Sequence, residues 1–188
     1  KDHEKKYVSL PETEEEIRNS SNNFLTSEIY FGDDANEKII NGLKNDNLIV
    51  HFATHNTNIS KYGFNNIPAL ILSKKYDDGF IDAFEIQDID FTNSDIILSA
   101  CSTLYSNDNY ESFSRLIRAF KISGSRSIMA TRWDVESQSA VLISEKYTNN
   151  LGEGRTPYKA ISDAQRSIMY SNEYSHPVFW APYMTIVN

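Results

Sequence analysis

His55 and Cys101, the only cysteine of the chain, each follow a short apolar run: Leu48-Ile49-Val50-His51-Phe52-Ala53-Thr54-His55 and Ile96-Ile97-Leu98-Ser99-Ala100-Cys101. A thiolate is a strong nucleophile, and a neighbouring imidazole can both generate it and protonate a departing amine. The pair therefore has the residue types for covalent acyl transfer. Short apolar runs without a period, flanked by polar residues, read as strands buried on both faces of a parallel sheet. Ligands and chemistry collect outside the carboxyl ends of such strands, which is where both side chains would emerge.

Each residue also has a plainer reading. A free cysteine most often acts as a small buried hydrophobe, but here the apolar run stops at Ala100 and Ser102, Thr103, Ser106 and Asn107 follow. That composition puts the thiol at a sheet edge and makes Ser102 to Tyr110 a candidate loop beside it. Half-buried histidines are mostly hydrogen-bonded fillers. His51 and His55 do not suggest a zinc pair, because position 52 is Phe and extended residues four apart lie about 13 Å from each other. His3 and His176 offer no pairing. The run Glu12 to Glu16 reads as a solvated helix start, and Trp133-Asp134 reads equally well as a helix cap, with Asp134 accepting from backbone N–H groups, or as part of a site. Neither G-x-G-x-x-G, G-x-x-x-x-G-K-S/T nor G-x-S-x-G occurs, so the backbone cradles of nucleotide sites and serine-hydrolase elbows are absent.

The elements that must position these residues follow from local pattern. A helix opens at Pro11, a short strand is expected over Ser27 to Phe31, and a helix from Ala35 to Leu43 leads to the histidine strand, making a parallel crossover unit. Ala69-Leu70-Ile71-Leu72 and Gly79-Phe80-Ile81, split by Lys74 to Asp78, predict a hairpin, and Asp82 to Gln87 a short helix. After the cysteine strand come a helix over Glu111 to Ile122, a buried strand over Arg126 to Thr131, helices near 136–150 and 156–171, and a last strand over Tyr183 to Val187. Strands ending at Ala53, Ala100 and Thr131 would bring His55, Cys101 and Trp133-Asp134 to one edge.

The chain has 188 residues, 40% of them hydrophobic, enough for one domain with its own core. Eighteen Lys and Arg against 26 Asp and Glu give a net charge of −8 with no basic stripe, which argues against direct nucleic-acid binding. No segment approaches the roughly 20 apolar residues of a membrane helix, so a soluble protein without membrane contact is expected. A single cysteine excludes an internal disulfide and fits a reducing, cytoplasmic setting. The chain begins at Lys1 without a methionine or signal-like run and reads as a piece of something longer.

Five strings stand in a telling order: Val50 to His55, Leu98 to Thr103, Arg118-Ala119-Phe120, Ala130 to Val135, and His176-Pro177-Val178-Phe179-Trp180-Ala181-Pro182. Together they resemble the landmarks of the CHAT domain family, caspase-like clan CD cysteine peptidases often fused to TPR repeats and related to separase. Forty-six positions separate His55 from Cys101, close to the roughly 50 between the histidine and cysteine of caspases. The resemblance implies an α/β fold over residues 1–188, a caspase-like three-layer α/β/α sandwich with a mostly parallel sheet, lacking the first strands of the full domain. It implies a cysteine endopeptidase acting on protein or peptide substrates through a Cys101–His55 dyad. Backbone N–H groups of Asn56 and Cys101 would hold the oxyanion, and neither metal nor organic cofactor would be needed. Caspases carry an arginine after the corresponding tryptophan, whereas Trp133-Asp134-Val135 resembles the separase version, which accepts arginine. Asp134 and Trp133, with Glu136 and Asp108 as further candidates, would thus form a P1 pocket for Arg or Lys. An upstream TPR or other sensor region, or a partner, would activate the domain by ordering the Ser102 to Tyr110 loop. The rival reading is a catalytically degenerate caspase-like domain serving as a protein-interaction module, since positions 56 and 102 to 105 depart from the family pattern.

Overall fold

The computed structural model describes residues 11–43, 47–99 and 109–187, with side chains from residue 114 onward in the last segment. In chain order the elements are α1 Pro11–Ser21, α2 Glu37–Asn41, β1 Ile49–Phe52, β2 Asn56–Lys61, β3 Phe64–Ile71, β4 Phe80–Asp82 and α3 Ala83–Asp88. They continue with β5 Asp95–Leu98, α4 Asn109–Ile122, β6 Ser127–Thr131, α5 Ser137–Gly152, α6 Pro157–Met169, α7 Pro177–Trp180 and β7 Tyr183–Val187.

Two sheets form. In the first the order is β1-β5-β6-β7, with β1, β5 and β6 parallel and β7 antiparallel at the edge. Alternation along each strand sorts its side chains between two cores. Phe52, Ile96, Leu98, Ile128 and Ala130 face Ile86 of α3 and Leu116, Ala119 and Phe120 of α4. On the opposite face Ile97 and Met129 meet Ile143 and Tyr147 of α5 and Ala160, Ile161, Ala164 and Ile168 of α6. The expected α/β architecture, a mostly parallel sheet between helical layers, is thus present. Each fully buried Ile or Leu contributes about 1.5–3 kcal/mol, which is why runs lacking any polar face become central strands.

The amino ends of β5 and β6 are clamped by a buried carboxylate. Asp95 is 1% exposed; it accepts from Arg126 Nε at 3.0 Å and Ser127 Oγ at 2.6 Å, and its other oxygen pairs with the second guanidinium nitrogen. The clamp holds Asp95 beside Ser127, its partner in the β5–β6 ladder.

The second sheet is antiparallel, in the order β2-β3-β4. The predicted hairpin is its β3–β4 pair, in which Ile71 faces Phe80. Leu70 and Ile81 extend into the α3/α4 core. Asp82 caps α3 through Phe84 N–H at 2.8 Å and Glu85 N–H at 3.1 Å, while Glu85 reaches back to the Asp82 N–H at 2.8 Å, a capping box.

Several expectations need correction. Residues 27–31 form no strand: only Ile29 and Phe31 are half-buried, and no ladder partner lies alongside among the described residues. The strand-helix-strand crossover unit is therefore absent. The helix over 35–43 shrinks to the five residues of α2. Asn56 to Lys61, which lack an apolar run, become β2 because β3 supplies a pairing edge. Glu16 is not solvated but 3% exposed. No helix among the described residues is long and apolar enough to cross a membrane.

Candidate active site

Parallel pairing matches Phe52 with Leu98 and Ile97 with Met129, so β1, β5 and β6 deliver their following loops to one carboxyl edge. His55 stands three residues beyond the last residue of β1 and Asp134 three beyond the last residue of β6. Cys101 stands three beyond the last residue of β5 in sequence and, like Asp108 and all of 102–108, lies outside the described residues. Ser99 N–H donates to Phe52 O at 2.9 Å, which carries the β1–β5 pairing one step past the strand toward Cys101.

His55 is half-buried and its backbone is fixed. Ile71 N–H donates to the His55 carbonyl at 2.9 Å, and Thr54 Oγ1 donates to Ile71 O at 2.6 Å. The first bond makes His55 and Ile71 a hydrogen-bonded antiparallel pair. Asn56, opposite Leu70, is then of the alternate, non-bonded type, and its N–H points away from β3. Asn56 has ordinary negative-φ strand backbone.

Behind the edge lies a polar cluster that local sequence did not reveal. His51 Nε2 lies 3.0 Å from Glu16 Oε1 and 3.1 Å from Ser99 Oγ. Ser144 Oγ donates to the same Glu16 oxygen at 2.6 Å. The carboxylate calls for a hydrogen on Nε2, and the buried Nδ1 is left without a partner among the described residues. Burial pushes the Glu16 carboxyl up, but the hydrogen bonds and charge of His51, with those of Ser144 and Ser99, outweigh it and leave the pKa below the ordinary value. The cluster joins α1, β1 and α5 to Ser99, the residue that follows β5, near the carboxyl ends of the two strands. No signal in the α1 sequence marks Glu16 apart from its acidic neighbours.

The CHAT domain family model matches residues 1–188. The chain belongs to the CHAT domain family. This family is related to the caspase-like clan CD peptidases. A search among curated proteins found no match.

Two further landmarks of the CHAT domain, Ala130 to Val135 and His176 to Pro182, meet at Trp133. Its Nε1 donates to Val178 O at 3.2 Å, and Arg132 N–H donates to Pro182 O at 3.1 Å. The His176 to Pro182 string thus supports the loop after β6: His176 Nδ1 caps α7 by accepting from Val178 N–H at 3.2 Å. Gln165 Nε2 ties the string down through Trp180 O and Tyr183 O, both at 2.9 Å. Asp134 is exposed, yet crowding around its carboxylate raises its pKa above the ordinary aspartate value. It does not cap the following helix. Glu136 does, accepting from Gln138 N–H at 3.1 Å and Ser139 N–H at 2.8 Å. Of the three P1 candidates described, Trp133 is anchored and half-buried, Asp134 has no cap to serve, and Glu136 is engaged by the α5 backbone.

Proposed function

We propose that this CHAT domain is a cysteine endopeptidase that cleaves after Arg or Lys. The supporting observation is the parallel order β1-β5-β6, three adjacent strands running the same way whose last residues precede His55, Cys101 and Asp134 by three positions each. In this reading His55 takes the thiol proton, the Cys101 sulfur attacks the scissile carbonyl carbon, the carbonyl π pair moves to oxygen, and the oxyanion is held by the N–H groups of Asn56 and Cys101. The outward direction of the Asn56 N–H suits that role, and such donors contribute roughly 3 kcal/mol each in comparable acyl-transfer sites. Collapse breaks the C–N bond, His55 gives a proton to the leaving amine, and water then hydrolyses the thioester to regenerate the thiol. Asp134, next to Trp133 in the loop after β6, supplies the countercharge for the basic side chain. The reaction takes place in a reducing, cytoplasmic setting that keeps the thiol free, and an upstream sensor region or partner governs it through the loop containing Cys101.

The test uses the intact activated protein. Cys101→Ala and His55→Ala should each abolish cleavage of a P1-Arg peptide, and a peptidyl-Arg chloromethyl ketone should label wild type at Cys101 but not His55→Ala. Full activity in either variant would sink the dyad. A folded protein that neither cleaves nor labels when activated would instead be a binding module.

A further inference from the structure

Away from the sheet edge, three carboxylates converge where the β3–β4 hairpin meets α2. One oxygen each from Glu37, Asp77 and Asp78 lies within 4.8 Å of the others. Such clusters are common on surfaces, but this one has a buried member. Glu37 is 5% exposed, its Oε1 is fully buried with no donor to bond to among the described residues, and its side chain meets the Asp77 carboxyl, another acceptor. A carboxylate removed from water without a donor or cation is strongly unfavourable as the anion. The adjacent Asn36, also buried, has a second oxygen, Oδ1, without a hydrogen-bond partner among the described residues, while its amide nitrogen donates to the carbonyls of Asp33 and Asp34 at 3.1 and 3.0 Å.

We propose that Glu37, Asp77 and Asp78 bind a calcium ion that fastens the hairpin to α2. Ligands of one calcium sit 2.3–2.6 Å from it and thus up to about 5 Å from each other, and all-oxygen sites of loose geometry suit this ion better than magnesium, which demands a near-ideal octahedron. Lys61 does not fill the need. Its Nζ is already shared by Glu85 at 2.6 Å, Asp78 at 3.0 Å and Asp82 at 3.5 Å, one positive charge for a group that also includes Glu37 and Asp77. The electrostatics agree, for burial together with Asp77, Glu85 and Asp78 pushes the Glu37 carboxyl up to about 7. A divalent ion would reverse that pressure.

The turn is preorganised for the role. Asp77 Oδ1 accepts from Asp78 N–H at 2.8 Å and Asp78 Oδ1 from Phe80 N–H at 2.9 Å, so both carboxylates are held by their own backbone. Ser73 N–H donates to Ala35 O at 2.8 Å, already joining hairpin and α2 segment at one point. Calcium would add a second. The hairpin includes Ile71, whose N–H holds the His55 carbonyl, so the ion would steady the strand on which the histidine loop rests.

This inference is independent of the peptidase reading, and its test reads binding rather than cleavage. Calcium chloride is titrated into the intact, chelator-treated protein by calorimetry, and melting is followed in calcium and in EGTA. One ion should bind with Kd of about 10⁻⁵ to 10⁻³ M, and calcium at a hundredfold excess over Kd should raise the melting temperature by about 5 °C or more. Glu37→Gln and the double variant Asp77→Asn/Asp78→Asn should each weaken binding at least tenfold, and Glu37→Gln should melt no lower than wild type in EGTA because the amide relieves the repulsion. Absence of heat and of a melting shift in folded wild type, unchanged affinity in both variants, or equal binding of magnesium would overturn the proposal.

Discussion

Asp134 and Glu136 are two residues apart and carry the same charge, yet their environments give them different work. Glu136 spends both oxygens on the first turn of α5, so Glu136→Ala should cost about 1 kcal/mol of stability in a denaturant titration and leave P1 preference unchanged. Asp134 is exposed but crowded enough to have its pKa raised, and a bound guanidinium would complete its desolvation. Truncating one member of such a pair costs about 2 kcal/mol or more. Asp134→Ala should therefore lower kcat/KM for P1-Arg peptides by about 30-fold or more, with small-reagent labelling of Cys101 unaffected. Selectivity for Arg over uncharged P1 residues should fade as pH falls through the raised pKa of Asp134, since protonation removes the countercharge. A P1 library showing preference for Asp, or an Asp134→Ala enzyme with undiminished Arg cleavage, would move the pocket elsewhere.

Among the elements, α1 is the least expected contributor. Its inward face is polar, Glu16 and Ser20 being its buried residues, and it is held by the bonds of Glu16 to His51 and Ser144 rather than by apolar area. Breaking a buried hydrogen-bonded pair is costly because the remaining partner stays desolvated. Glu16→Ala should destabilise the domain by about 3 kcal/mol at pH 7 in urea unfolding. The acid limb carries a separate signature. Because the folded-state pKa of Glu16 is depressed, its contribution is present above the unfolded pKa of about 4.3 and is lost as pH falls through the folded value. Glu16→Gln should flatten that limb, so the stability gap to wild type narrows between pH 7 and pH 3. A gap independent of pH would show that Glu16 acts only through packing. Since His51 and Ser99 share this cluster with α1, its loss should also loosen the strand ends that precede His55 and Cys101.

For the molecule as a whole, protection should follow the layering: amides of Ile96 to Leu98 and Ile128 to Ala130, buried on both faces, should exchange slowest, and those of β2, at the edge of the smaller sheet, much faster. Hydrogen exchange with β2 as slow as β5 would mean that the two sheets unfold as one unit. The same layering explains what was legible beforehand. Strands β1, β5, β6 and β7, the hairpin, and helices α3 to α6 could be read because apolar runs, helical spacing and turn residues are local, and the parallel edge followed from where those runs stop. Five ordered strings were enough to point to the family. What local pattern could not supply were the partners that decide marginal segments. Residues 27–31 and 56–61 are similarly weak strand candidates, and only the second is paired, by β3. Glu16 is indistinguishable from Glu14 or Glu15 until Ser144, 128 residues later, donates to it. Glu136 rather than Asp134 became the cap because the first turn of α5 brings two N–H groups to its carboxylate. Backbone preference and hydrophobic period were inherent in the sequence; the burial of charge, the pairing of short edge strands and the convergence of Glu37, Asp77 and Asp78 depended on distant segments meeting, and so only the tertiary structure decided them.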